Sequence, residues 1–545
     1  MLSQFLLALK WIPLLTAGSP IISLDYGTFQ GATDGNLTKF LGIPFARPTA
    51  RFDLPQPPLP LRGLQNATVF GPACPQQALS PLPISFPNND GLISEACLTL
   101  DVFLPTTAQP HSKLPVLVWI YGGGFEVGNS ANTDMRPTVE RSIVLGEPVI
   151  IVALNYRVSA FGFLAGKEVS EEGITNLGLR DQIFGLEWVQ KHVAAFGGDP
   201  ERVVVGGQSA GAISTGLLLL SNKRNSSHLF RGAFMASGSP GAAPTVADGQ
   251  IQYDGLVEAN NCTTAPNTLD CLRSVPFDDF MATVNKTADL FSYQSLSLLW
   301  RPRLDGDVIV RNPPESVAQG QFARIPILSG DCDDEGTLFA LTSLNVTTDP
   351  AFVDYVQSIY IPGATPAEVT KIAALYPQDP ALGSPFDTGS ANQLTPEFKR
   401  IAAFEGDIFF TGLRRFFLQH ASKTQNTWSW LSKRGKSTPD LGSLHSSDLA
   451  LFFPTNTTDT VAVDSLINFL NTLDPNVSAA PEAFKSRFNS TVFWPKWQTP
   501  SAEGSTSLLT FSDPDVVNVT ADNFRADGIA FLNSLHLKGV TAIGL

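Results

Sequence analysis

The stretch "VVVGGQSAGAI", residues 203–213, sets one serine among three glycines at the end of an apolar run. Three valines followed by small residues read as a buried strand that stops in a sharp turn. The apolar run "AGAISTGLLLL", which starts at Ala210, reads as a helix. Ser209 therefore stands at a strand-to-helix corner. Two roles fit it: a small residue in a tight turn, or a nucleophile raised on strained backbone with its hydroxyl exposed. Gly207 and Gly211, two residues to either side, suit the second role, because a side chain at either would strike neighbouring backbone. The helix N-terminus behind the serine favours negative charge developing there. G-x-S-x-G alone is a weak signal, so the rest of the chain has to decide.

Working outward, short apolar runs alternate with helical patterns. "LPVLVWIYGGGF" and "EPVIIVALNYRV" read as buried strands, and "RIPILSGDCDDEG" as a later one ending in an acidic loop. "GLRDQIFGLEWVQKHVAAF" spaces Ile183, Leu186, Trp188, Val189 and Val193 as one face of a helix. Strand, helix and strand in this order imply right-handed crossovers and a mostly parallel sheet covered on both faces. No linker divides the 545 residues, so one large α/β domain with long insertions is expected.

A serine nucleophile needs a base, and the chain has six histidines. His111 lies in a polar loop, His192 in the helix before the serine strand, and His228, His420 and His536 in helical or surface-like contexts. His445, in "DLGSLHSSDLALFF", is a loop residue that follows the serine in sequence. An acid is expected between the two, at a strand end, to accept the imidazole Nδ1–H. "SGDCDDEGTLF" offers Asp331, Asp333, Asp334 and Glu335, and the same cluster also reads as a solvated acidic loop or a calcium site without EF-hand spacing. Gly122, Gly123 and Gly124 follow a strand and let backbone amides approach a substrate oxygen. A phosphate loop is disfavoured, since neither a following Lys-Ser/Thr nor G-x-G-x-x-G is present.

Composition narrows the rest. The chain is 43% hydrophobic and 16% charged, with a net charge of −14 and no basic run. That argues against nucleic-acid and anionic-membrane partners. The first 18 residues, with a short apolar stretch and then small residues, resemble a secretory signal cleaved near Ala17 or Gly18, although the positive start is missing and Lys10 interrupts the run. Ten Asn-x-Ser/Thr sequons fit a secreted glycoprotein: Asn36, Asn66, Asn225, Asn261, Asn285, Asn345, Asn456, Asn476, Asn489 and Asn518. Of five cysteines, Cys74 and Cys97 bracket a proline-rich loop and Cys262 and Cys271 a polar one, which suggests two loop-closing disulfides and a spare thiol, Cys332. Zinc is disfavoured, with no C-x-x-C and no paired Cys/His spacing.

Together these residues resemble the type-B carboxylesterase/lipase family, which includes fungal secreted lipases and the cholinesterases. The resemblance runs through "FLGIPFARP", "EACLTLDVFLP", "VLVWIYGGGFEVG", "NLGLRDQIFGLEWVQKHVAAFGGDP", "FGGDPERVVVGGQSAG", "SGDCDDEGTLF" and "FWPKW", and so covers almost the whole chain. It implies an α/β-hydrolase fold over residues 19–545 and ester hydrolysis without metal or organic cofactor. It implies Ser209 as nucleophile, His445 as base and Glu335 as the acid, with Gly123, Gly124 and Ala210 as oxyanion donors. It implies the disulfides Cys74–Cys97 and Cys262–Cys271. Two positions depart from the family: Gln208 replaces the usual Glu before the serine, and Ala96 the usual Asp or Gly before Cys97. The loop 74–97 takes the place of a lid, but four prolines prevent a long amphipathic helix there; a surface loop packed on its own base is the alternative. "FFTGLRRFFLQ" and "LFSYQSLSLLW" read as core or as the lining of an acyl pocket. A hydrophobic ester is the expected substrate, with contact at a lipid interface open. Aryl, feruloyl and steryl esters are alternatives, and a non-catalytic adhesion protein of the same fold is the alternative of another class.

Overall fold

The computed structural model describes residues 19–48, 50–82, 92–221, 228–455, 460–487, 492–498 and 506–541. The signal-like segment, the middle of the proline-rich loop and the sequons at Asn225, Asn456 and Asn489 lie outside these.

Among the described residues the main sheet has eleven strands. Its centre is seven parallel strands, in spatial order Ile150–Leu154, Leu114–Ile120, Gly198–Gln208, Gly232–Ala236, Ile327–Cys332, Thr427–Lys433 and Ser507–Ser512. The antiparallel strand Val516–Ala521 closes one side. Thr99–Pro105, Leu37–Pro44 and Ala32–Asp34 extend the other, also antiparallel. A separate three-stranded sheet pairs Ile21–Leu24, Gly27–Gln30 and Leu64–Asn66.

The apolar runs read from sequence occupy the middle of this sheet because both of its faces are buried. Val203 and Val205 belong to one hydrophobic layer and Val204 to the other, as the two-residue period of a strand requires. The amphipathic pattern after Asn176 forms the helix Leu177–His192 and a short 3-10 turn, Val193–Phe196. Ile183, Leu186, Trp188, Val189 and Val193 are all buried. The helix Ala210–Leu220 starts at the residue after the serine.

Cys74–Cys97 and Cys262–Cys271 are disulfide-bonded, and Cys332 is a buried free thiol. Burial pushes that thiol well above its usual range, which makes it a poor nucleophile. Of the described sequons, Asn36, Asn66, Asn261, Asn285, Asn345 and Asn518 are exposed. Asn476 is half-buried, and its Nδ2 donates to Trp494 O at 2.9 Å and to Asp474 Oδ1 at 3.0 Å.

Candidate active site

Ser209 sits at the corner between the strand Gly198–Gln208 and the helix Ala210–Leu220 with φ 55° and ψ −124°. That is strained backbone for a residue with a side chain. Its neighbours make the corner possible. A Cβ on Gly211 would lie 2.0 Å from Ile120 O, and one on Gly207 2.4 Å from the Gly211 carbonyl carbon. The Ser209 amide donates to Ala236 O at 2.9 Å, which fixes the corner to the next strand.

The glycine loop lies directly against this corner. A Cβ on Gly122 would meet Gln208 Oε1 at 2.5 Å and Ser209 Cβ at 2.9 Å. Gly123 and Gly124 have φ of 110° and 63°, where glycine avoids the strain of other residues. The loop is anchored at its start by reciprocal hydrogen bonds: Tyr121 Oη donates to Tyr156 O at 2.7 Å, and Tyr156 Oη to Tyr121 O at 3.0 Å. Among the described residues, the amides of Gly123, Gly124 and Ala210 have no backbone acceptor.

The third element is the loop carrying His445. Its Nδ1 lies 2.5 Å from Glu335 Oε2, and both side chains are buried. Glu335 Oε1 accepts from the Cys332 amide at 2.6 Å, so the carboxylate is held at both oxygens. The other three acids have different partners. Asp331 is 2.6 Å from Arg414, and Asp333 is 2.5 Å from Lys436. Asp334 accepts from Lys436 Nζ at 2.7 Å and from the amides of Ser443 and Phe386, each at 2.8 Å. Asp334 thereby ties down the loop two residues before His445, a positioning role that no sequence signal announced. The rings of Phe410 and Phe339 pack on the imidazole at 4.7 and 5.2 Å between centroids.

Because the carboxylate takes the Nδ1–H, Nε2 of His445 is an acceptor. Gln208 Nε2 lies 3.1 Å from it and also donates to Ser446 Oγ at 2.6 Å. Among the described residues Ser209 Oγ makes no hydrogen bond to the ring. In this resting arrangement the Gln208 amide donates to the Nε2 lone pair that would accept the Ser209 proton, and such bonds tighten or exchange when substrate binds.

Ser209, Ala210, Gly123, Gly124, Gln208 and His445 all face one cavity of about 1380 Å³. Most of its wall is apolar. "LFSYQSLSLLW" contributes Leu290, Phe291, Leu296 and Leu298, and "FFTGLRRFFLQ" contributes Phe409, Phe410 and Leu413. Both stretches are therefore pocket lining, while Phe417 of the second is also core. Residues 76–82, 92 and 93 of the disulfide-closed loop also line the cavity. They are tied to the opposite wall, with Ser80 Oγ donating to Asp289 Oδ2 at 2.6 Å and the Ala78 amide to Asn285 Oδ1 at 2.8 Å. His536 is in a helix, as its context suggested, but it is buried in the cavity wall.

A mostly parallel sheet, a serine on a strained strand-to-helix corner, and a histidine that faces the same pocket with a carboxylate on its Nδ1 define an α/β-hydrolase. The chain matches the model of the carboxylesterase family over residues 18–498. It is 37% identical to a secreted triacylglycerol lipase of Gibberella zeae, over 95% of this chain and 90% of that protein. It is 38% identical to Lipase 4 of Diutina rugosa, over 94% and 95%. The crystal structure of EstA from Aspergillus niger superposes with a TM-score of 0.80 at 27% identity, covering 95% of this chain and 98% of that one. The chain belongs to the carboxylesterase family and is a carboxylic-ester hydrolase.

Proposed function

We infer that the protein is a secreted serine esterase of the lipase type, acting on esters of apolar acyl chains by two-step acyl transfer. Residues 19–545 are read as one catalytic domain and residues 1–18 as its signal. The secreted lipases among its relatives support this reading. So does an apolar cavity too large for a small acyl group alone.

In the proposed reaction His445 takes the Ser209 proton as Oγ attacks the ester carbonyl. Gln208 gives up its hydrogen bond to Nε2 as the serine hydroxyl takes its place. The amides of Gly123, Gly124 and Ala210 receive the developing oxyanion, an effect worth ~10²–10³ in rate per donor. Glu335 keeps the imidazole in the productive tautomer and stabilises its cation. The imidazolium then protonates the leaving alcohol, and water hydrolyses the acyl-enzyme by the same route.

The observation that carries this reading is the convergence on one cavity of Ser209, of His445 backed by Glu335, and of the residues whose three amides lack backbone acceptors among the described residues. Ser209→Ala is expected to abolish hydrolysis of p-nitrophenyl esters and labelling by an organophosphate, with an unchanged melting temperature. Activity retained in that variant would refute the assignment. Wild-type protein that no organophosphate labels would instead favour a binding role for the fold.

A further inference from the structure

The cavity wall contains one Asp, Glu, Lys or Arg side chain among its described residues: Arg301. Its Nη2 donates to Ala242 O at 2.8 Å. That carbonyl lies two residues past Pro240, whose ring packs on Gly216 of the helix that Ser209 opens. Gly216 is seven residues beyond Ser209, or about 10 Å along the helix axis. Ile213 and Leu217 of the same helix line the cavity over this length.

Arg301 is 9% exposed and has no acidic partner among the described residues. Arg303, also buried, adds a like charge nearby, and its own Nε and Nη1 are unpartnered. Ser239 Oγ, in the same wall, is also buried without a partner among the described residues, whereas two titratable neighbours in the lining are committed. His536 Nε2 donates to Ile408 O at 2.9 Å, which leaves Nδ1 to accept from Thr541 Oγ1 at 2.9 Å. Tyr360 Oη donates to Glu405 at 2.6 Å. Beyond the bond from Nη2 to Ala242 O, the guanidinium is open to the cavity, where an acceptor on a bound substrate can meet its other N–H groups. An alkyl terminus reaching it would displace the remaining water and replace nothing. A carboxylate would supply both the missing charge and a pair of acceptors in the planar geometry guanidinium prefers.

We propose that Arg301 reads a carboxylate at the far end of the acyl chain, so that the enzyme prefers half-esters of medium-length dicarboxylic acids over methyl-terminated esters of equal length. This rests on Ser209 being the nucleophile. The bond broken is the ordinary ester bond. Water supplies the hydroxyl, and the products are the alcohol and the dicarboxylic acid.

The test compares kcat/KM for p-nitrophenyl half-esters of suberic and sebacic acid with that for p-nitrophenyl octanoate and decanoate, in wild type, Arg301→Met and Arg301→Lys. p-Nitrophenyl acetate, too short to span the distance, reads the serine chemistry alone. The half-ester to alkyl-ester ratio should exceed one in wild type. It should fall about ten- to a hundredfold in Arg301→Met, mainly through KM, as for the loss of a charged hydrogen bond. Arg301→Lys should keep part of the preference. A wild-type ratio below one with normal acetate hydrolysis overturns the proposal and leaves the serine reading intact; no acetate hydrolysis overturns the serine reading beneath it. If Arg301→Met does not fold, the wild-type ratio must still peak at one chain length, and a length-independent ratio overturns the proposal. An equal gain with ω-hydroxy esters overturns the carboxylate assignment.

Discussion

The two halves of the proposed catalytic site are built in opposite ways. On the serine side the geometry is local backbone sterics: Gly207, Ser209 and Gly211 span five residues, and the corner exists because two of them lack a side chain. On the histidine side the geometry is made by side chains across the chain. Glu335 and His445 are 110 residues apart, Asp334 and Ser443 109, and Lys436 and Asp334 102. A corner built from local sterics breaks when a methyl group is added. A loop held by polar bonds breaks when one charge or one acceptor is changed, with the fold left standing.

Glu335→Gln tests the second half and should have the larger effect. One oxygen must still accept from the Cys332 amide. If the Gln oxygen does so, its NH2 faces His445 Nδ1 and imposes the wrong tautomer. We expect kcat to fall ~10³–10⁴-fold, with the melting temperature nearly unchanged. Activity within tenfold of wild type would mean the pair is structural.

Gly211→Ala tests the first half. Its Cβ falls 2.0 Å from Ile120 O, and backbone has to move. A destabilisation of about 1–3 kcal/mol is expected, read by urea denaturation, together with lost activity because Ser209 is displaced. A variant as stable as wild type would show that the corner has slack.

The smallest effect sharpens the contrast through pH. Burial, and then the charge of Glu335, push Asp448 up to about 7. Unfolded, it would ionise near 4. The folded state therefore holds a proton that the unfolded state releases between about 4 and 7. The stability this contributes is full below that window and is lost as pH rises through 7. Asp448→Asn should leave the melting temperature unchanged at pH 4 and raise it by a few °C at pH 8. The same shift at both values would mean that packing, not titration, is responsible.

Much of the central sheet was legible because a strand buried on both faces must be apolar throughout, as in "VLVWI" and "VIIVAL". The antiparallel strands at the sides were less so. In Val516–Ala521 three of the six residues are polar or small and most are exposed, so pairing rather than burial defines the strand. The acid among Asp331, Asp333, Asp334 and Glu335 was named by family resemblance, not by physics. All four are buried, and their partners set Glu335 apart: Asp331 meets Arg414, Asp333 and Asp334 share Lys436, and Glu335 meets His445. Gln208 was read as a missing charge beside the serine; its hydrogen bond to the imidazole came from the fold.

By itself the sequence determined the glycine-flanked corner, the apolar strands that carry it and the cysteines free to close two loops, because steric exclusion and hydrophobic periodicity act over a few residues. The tertiary structure alone decided which carboxylate meets His445, which amide occupies its Nε2 and that a buried Arg301 looks into the same cavity. Each depends on a partner about sixty or more residues away, and no local rule records where a distant side chain ends.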